Sequence, residues 1–179
     1  MPVPASEYSP QTSIDRRPLF IWIVVAGCSL VILGMIAGAP LALARGHNVF
    51  AGAIYGGFSH LCHQIPERSF FIAGHQFAVC ARCTGLYAGF TVATLCYPFL
   101  RSLRRTDTPP RRWLFIAAVP LAVDFSLGFF GLWENTHLSR LLTGALLGSV
   151  AVFYVLPGLF DLRLKEWRQL LSRKAVEIQ

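Results

Sequence analysis

A chain of 179 residues that is 54% hydrophobic and 14% charged, with a mean hydropathy of +0.52, is too apolar for an ordinary soluble domain. Its formal net charge of +7 does not indicate nucleic acid, because the basic residues stand at the ends of apolar runs and not among aromatics on a polar surface. The fold expected is all-α: a polytopic membrane bundle of about four transmembrane helices with one short re-entrant or interfacial helix.

Residues 1–17 are polar and proline-containing, end in Arg16-Arg17, and are expected to form a disordered cytoplasmic terminus. The apolar run 19–39 is long enough to cross a hydrocarbon core of roughly 30 Å as a helix, and Pro40 is expected to close it. Ala42-Leu43-Ala44 resembles a signal-peptidase site. The run before it exceeds the roughly 7 to 15 residues of a signal sequence, so the first helix is expected to stay attached. Residues 48–59 are glycine-rich and too few to span, which suits a re-entrant or interfacial helix. Further spans are expected at 84–100, 113–132 and 138–159, the last after the polar connection Trp133-Glu134-Asn135-Thr136-His137. The membrane domain is thus 18–160. From Asp161 a basic tail, 161–179, sets Leu164, Trp167, Leu170 and Leu171 at helical spacing, as in an amphipathic helix on an anionic leaflet or a solvated helical extension.

Twelve of the sixteen lysines and arginines fall in the amino terminus, the 101–112 loop and the tail. The positive-inside rule then makes both termini cytoplasmic in a prokaryotic inner membrane, and places all five histidines on the opposite, outer side. Three Gly-x-x-x-Gly pairs, Gly34/Gly38, Gly85/Gly89 and Gly144/Gly148, lie on different spans and favour close helix packing, within or between chains. The starts Arg82-Cys83-Thr84-Gly85 and Arg140-Leu141-Leu142-Thr143-Gly144 are also alike, too briefly to establish a repeat.

Chemistry concentrates between residues 60 and 85, which hold three of the five cysteines and three of the five histidines. Cys80 and Cys83 flank a helix start, where unpaired N–H groups and the helix dipole favour thiolate. Cys62-His63 precedes them by 17 residues, a gap comparable with two-knuckle zinc sites. The candidate metal ligands are Cys62, His63, Cys80 and Cys83, with His60 or His75 as substitutes for His63, or a fourth position open to water. Mixed thiolate and imidazole ligands favour zinc, with iron or copper behind it. The rival chemistry is a Cys80–Cys83 disulfide, with Cys62 as exchange partner, passing electrons to a membrane quinone. Cys28 and Cys96 are expected to be core residues.

Asp124 lies inside the third span, where a charge costs roughly 2.5 kcal/mol or more on the insertion scale. Arg140 is its expected partner, an ion pair locking the third helix to the fourth. Asp124, Glu134 and Arg140 are the candidate catalytic residues, either carboxylate being placed to act as general base toward metal-bound water. Glu67 and Arg68 are expected to pair and shape the turn after Pro66.

The combination Cys62-His63-Gln64, Pro66-Glu67-Arg68-Ser69-Phe70, Gly74 and Cys80-Ala81-Arg82-Cys83-Thr84-Gly85 with Gly89 resembles a family of small prokaryotic integral-membrane proteins known by a domain of unknown function. Asp124 and the stretch from Glu134-Asn135 through Arg140 to Thr143-Gly144 resemble its second half, so the likeness covers roughly residues 45–160. The resemblance implies several membrane spans and a Cys/His motif, and it carries no activity. Three functions therefore stay open: a metal-dependent enzyme acting on a lipid-derived or other membrane-soluble substrate, a thiol-disulfide oxidoreductase coupled to quinone, and a non-catalytic protein stapled by its metal.

Overall fold

The computed structural model describes residues 17–177, with side chains described for 18–162. The expected disordered terminus therefore lies outside the described residues except for Arg17, which opens the first helix, and so do the side chains of the tail beyond Leu162. Five α-helices follow in order: α1 Arg17–Ala44, α2 Asn48–Ser59, α3 Ala81–Leu100, α4 Arg112–Phe129 and α5 His137–Glu177. Between α2 and α3 lie a 3-10 turn, Pro66–Arg68, and a two-stranded antiparallel hairpin of β1 Phe71–Ile72 and β2 His75–Gln76. Ala73 and Gly74 both have positive φ, 52° and 80°, the backbone that a tight two-residue hairpin turn requires. Four helices are long and apolar enough to cross a membrane: Pro18–Ala44, Ala81–Leu100, Arg112–Phe129 and His137–Leu162. The twelve-residue α2 is not. The all-α bundle stands as read, while the helix of the fourth span continues without a break through Asp161.

Pro40 does not close α1, which runs on to Ala44. A proline inside a helix removes the N–H that would bond the carbonyl four residues back, here that of fully buried Ile36. That carbonyl accepts instead from the Ala78 N–H, at 3.4 Å, so the lost helical bond becomes a tie to the segment leading into α3. The same exchange occurs in α3, where Pro98 frees the Thr94 carbonyl and the Trp22 indole donates to it at 2.7 Å. The helices continue because the freed acceptors are satisfied from elsewhere.

The centre of the bundle is the pair α3 and α5, which run parallel with their backbones touching. A Cβ added at Gly85 would overlap the Leu141 carbonyl, and one at Gly89 the Ala145 carbonyl. The contacts recur with the helices exchanged: Gly144 meets the Arg82 carbonyl and Gly148 that of Leu86. The likeness between the two helix starts is therefore a likeness of contact surfaces. Ser149 adds a hydrogen bond from its Oγ to the Gly89 carbonyl at 3.1 Å. Gly34 and Gly38 of α1, by contrast, have nothing within 4 Å.

Two cores flank this pair. One, near the start of α3, joins Ile36, Ala39, Ile54, Phe58, Cys62 and Val79 from α1, α2 and the intervening segment. The other, toward the end of α3, joins Ala93, Tyr97, Val152, Leu156 and Phe160, with Trp22 against them. In α4 only Ala117 is buried, so its apolar surface faces outward. Cys28 and Cys96 are not core residues: both are exposed on the outside of the bundle. A thiol is a small hydrophobe that a lipid-facing surface accepts as readily as a core does.

Candidate metal centre

The segment from α2 to α3 folds back so that its two ends meet. Gln64, in the left-handed region at φ 51°, sends its side-chain amide to the carbonyls of Tyr55 and Ala78, both at 2.8 Å. Gln76 returns a bond to the Gln64 carbonyl at 3.3 Å, and the Tyr55 hydroxyl donates to the Gln76 carbonyl. Burial raises the Tyr55 hydroxyl above its ordinary pKa, which keeps it a donor. Ser69, almost fully buried, bonds the Ile65 carbonyl at 2.8 Å. These ties bring Cys62 beside the start of α3, where Cys80 is the N-cap residue and Cys83 lies in the first turn.

The sulfurs of Cys62, Cys80 and Cys83 lie within 4.8 Å of one another. Cys62 is buried and the other two are half-buried, and none is joined in a disulfide. The Cys80 N–H donates to the Cys62 sulfur at 3.2 Å. Hydrogen bonding with the Cys62 thiol, and next with that of Cys83, holds Cys80 well below the usual thiol range despite burial. Three soft ligands converge here with one already inclined to ionise.

No imidazole joins the group among the described residues. His63 is exposed although Cys62 beside it is buried, because neighbouring side chains diverge. His60 is likewise exposed, and the His137 ring packs on Phe70 with centroids 5.6 Å apart. The described ligand group is thus three thiols, with His63 outside it.

The polar residues of the later spans gather at the same end of the bundle. Asp124 pairs with Arg82 and not with Arg140. Both arginines stand at the start of a helix, and because α3 and α5 run parallel, the position of α4 around them decides which one Asp124 meets. The lock is accordingly between α3 and α4. Arg82 also lies 5.7 Å from the Phe125 ring centroid, and Asn135 donates to the Asp124 carbonyl. Arg68, Arg82 and Arg140 line one narrow cleft with Asn135, whereas Glu134 is exposed and does not line it. Arg68 makes no pair with Glu67, since consecutive residues of a 3-10 turn splay by about a third of a turn. Gln64, Arg68 and Arg82 have structural roles here that ligand spacing and hydropathy do not single out. Each sits inside a Cys-His-Gln, Pro-Glu-Arg or Cys-Ala-Arg-Cys string, and proximity to the cysteines was the available signal.

The Asp124 side chain is 10% exposed and that of Arg82 is 20%. Asp124→Asn would leave the guanidinium uncompensated and is expected to cost about 3 kcal/mol. Thermal unfolding in detergent checks this: the double variant with Arg82→Gln should lose less than the sum of the two single changes. An unchanged midpoint for Asp124→Asn would remove the ion pair from the account.

Residues 62–154 match a family model described as "Predicted membrane protein (DUF2085)". The chain is 43% identical over 115 residues to uncharacterized protein MJ1492 of Methanocaldococcus jannaschii, covering 64% of this chain and 74% of that one. It is 36% identical over 87 residues to an uncharacterized protein of Methanothermobacter thermautotrophicus, covering 49% and 77%. No solved structure matches.

Proposed function

The chain belongs to the DUF2085 family of predicted membrane proteins, and we propose that it is a metal protein whose Cys62, Cys80 and Cys83 thiolates hold one zinc ion and leave a fourth position for an external ligand. The observation that carries this is the approach of three sulfurs within 4.8 Å on a tied, half-buried segment. Thiolate ligands suit zinc best, with iron or copper next. Three protein ligands and an open position is the pattern of catalytic more than of structural zinc sites. On the positive-inside count the site faces away from the cytoplasm, at a depth suited to a membrane-associated substrate. In the enzymatic form of this proposal Glu134 serves as general base, Arg140 meets the substrate, and Asp124 holds Arg82 in place. For His63 to close the site, the loop at 62–64 would have to turn.

A second function, thiol-disulfide exchange with a quinone, is favoured by one further observation. An apolar groove of about 480 Å³ between α1, α2 and α3 is lined by Ile32, Met35, Phe50 and Leu61, and by Phe58 and Tyr87, which pack around the thiols. In that chemistry two thiols lose two electrons and two protons to form a disulfide, and the quinone becomes quinol.

Elemental analysis of protein purified in mild detergent, with thiols titrated on the same sample, separates the two. Near-stoichiometric zinc, with three thiols unreactive until chelation, is the expected result. Metal-free protein carrying a disulfide that reductant opens would overturn it in favour of exchange. Stoichiometric zinc with no exchangeable fourth ligand would make the ion a staple and exclude the enzymatic form.

A further inference from the structure

The cleft beside the thiols contains more positive charge than the protein itself balances. Arg68 from the 3-10 turn, Arg82 from α3 and Arg140 from α5 share its walls, and no carboxylate lines it. Asp124 neutralises one guanidinium, Arg82, from outside the lining. The parallel α3 and α5 both begin at this end, so the positive ends of two helix dipoles add to the same field where, in a close-packed pair of opposite direction, they would cancel. The Nε of Arg82 is buried with no acceptor, because Asp124 takes the Nη2 side of the fork. Asn135 Oδ1 is buried and unpartnered as well. Like charges held together in a partly desolvated cleft are unfavourable unless an anion joins them.

We propose that Arg68, Arg82, Arg140 and Asn135 form a binding site for one phosphate-class oxyanion, carried by a free phosphorylated solute or by a lipid headgroup. Phosphate fits better than carboxylate because two oxygens satisfy a single arginine fork, whereas three guanidinium groups require the several acceptors of a tetrahedral oxyanion. Asn135 Oδ1 suits the hydroxyl of a protonated phosphate oxygen. The cavity, about 40 Å³, is of the order of one such group. The proposal rests on the arginines and not on the metal.

Isothermal titration of the full chain in neutral detergent tests it, with inorganic phosphate and short-chain phosphatidic acid as separate probes. At least one probe is expected to bind with one-to-one stoichiometry. Arg140→Gln and Arg68→Gln should each weaken it about tenfold or more, and Arg104→Gln in the distant 101–112 loop should leave it unchanged. Binding of phosphatidic acid alone assigns the site to a headgroup; binding of inorganic phosphate of equal strength assigns it to the phosphate group itself. Because Arg68 is exposed at the end of the 3-10 turn, its variant keeps the test decisive if Arg140→Gln does not fold. The proposal fails if neither probe binds, or if binding ignores both substitutions. It fails equally if binding disappears on chelation while remaining insensitive to the arginines, which would place the anion on the metal.

Discussion

Cys80→Ser is expected to lower zinc affinity by about 300-fold or more. Structural zinc binding by thiolates is worth roughly 10 to 16 kcal/mol, and removing one of three ligands forfeits about a third of the lower figure or more. Cys80 holds two roles, which the substitution separates. Its thiol is already displaced toward thiolate by Cys62 and Cys83, and its backbone N–H donates to the Cys62 sulfur from the N-cap position of α3. Serine keeps the backbone donor and removes the soft ligand, so the change isolates ligation from folding. Competition against a chromophoric chelator measures the loss, with Cys28→Ser as the comparison because that thiol is exposed on the outside of the bundle. Equal affinity in the two variants would show that the cluster does not bind the ion. Affinity should also fall with acidification, since each thiolate must shed a proton before it can ligate.

Gly85→Val and Gly89→Val are expected to unfold the centre of the bundle, at about 3 kcal/mol each or more. The added atoms would overlap backbone carbonyls of Leu141 and Ala145, which cannot rotate aside as a flexible side chain can. Separation of the two helices would also move Cys80 and Cys83, so zinc content should fall with thermal midpoint. Gly34→Ala is the matched comparison. It alters the same Gly-x-x-x-Gly pattern on α1, where nothing lies within 4 Å, and should change stability by no more than about 0.5 kcal/mol. If Gly85→Val melts with the wild type, the close approach of α3 and α5 is wrong.

Those three glycine pairs also mark where reading from sequence stops. Their spacing is identical, and only position in the assembled bundle separates the pairs that touch from the one that does not. The four spans were legible because hydropathy over 18 or more residues is a local property, and so was the meeting of Cys62 with Cys80 and Cys83, because soft ligands have few other uses in such density. Direction around a helix axis was not legible. Sequence order matches Asp124 to Arg140, the nearer arginine along the chain, whereas the folded chain pairs it with Arg82 on the parallel helix. Cys28 and Cys96 failed in the same way, since helices apolar on every side do not announce which side faces lipid. Pro40 fails to end its helix for a different reason. Whether a proline ends a helix depends on who takes the freed carbonyl, and the donor, Ala78, lies far along the chain.

The two proline-freed carbonyls have a mechanical consequence. Trp22 fastens α1 to α3 near one end, and Ile36 fastens it through Ala78 to the segment entering α3 near the other. A rod pinned at two well-separated points cannot pivot independently of the body that holds it. The 27-residue apolar stretch of α1 exceeds the roughly 20 residues that a bilayer core requires, an excess that tilting, kinking or local thickening of the bilayer can absorb. Any tilt of α1 would then be shared with α3 and would carry the thiol-bearing end of the bundle with it.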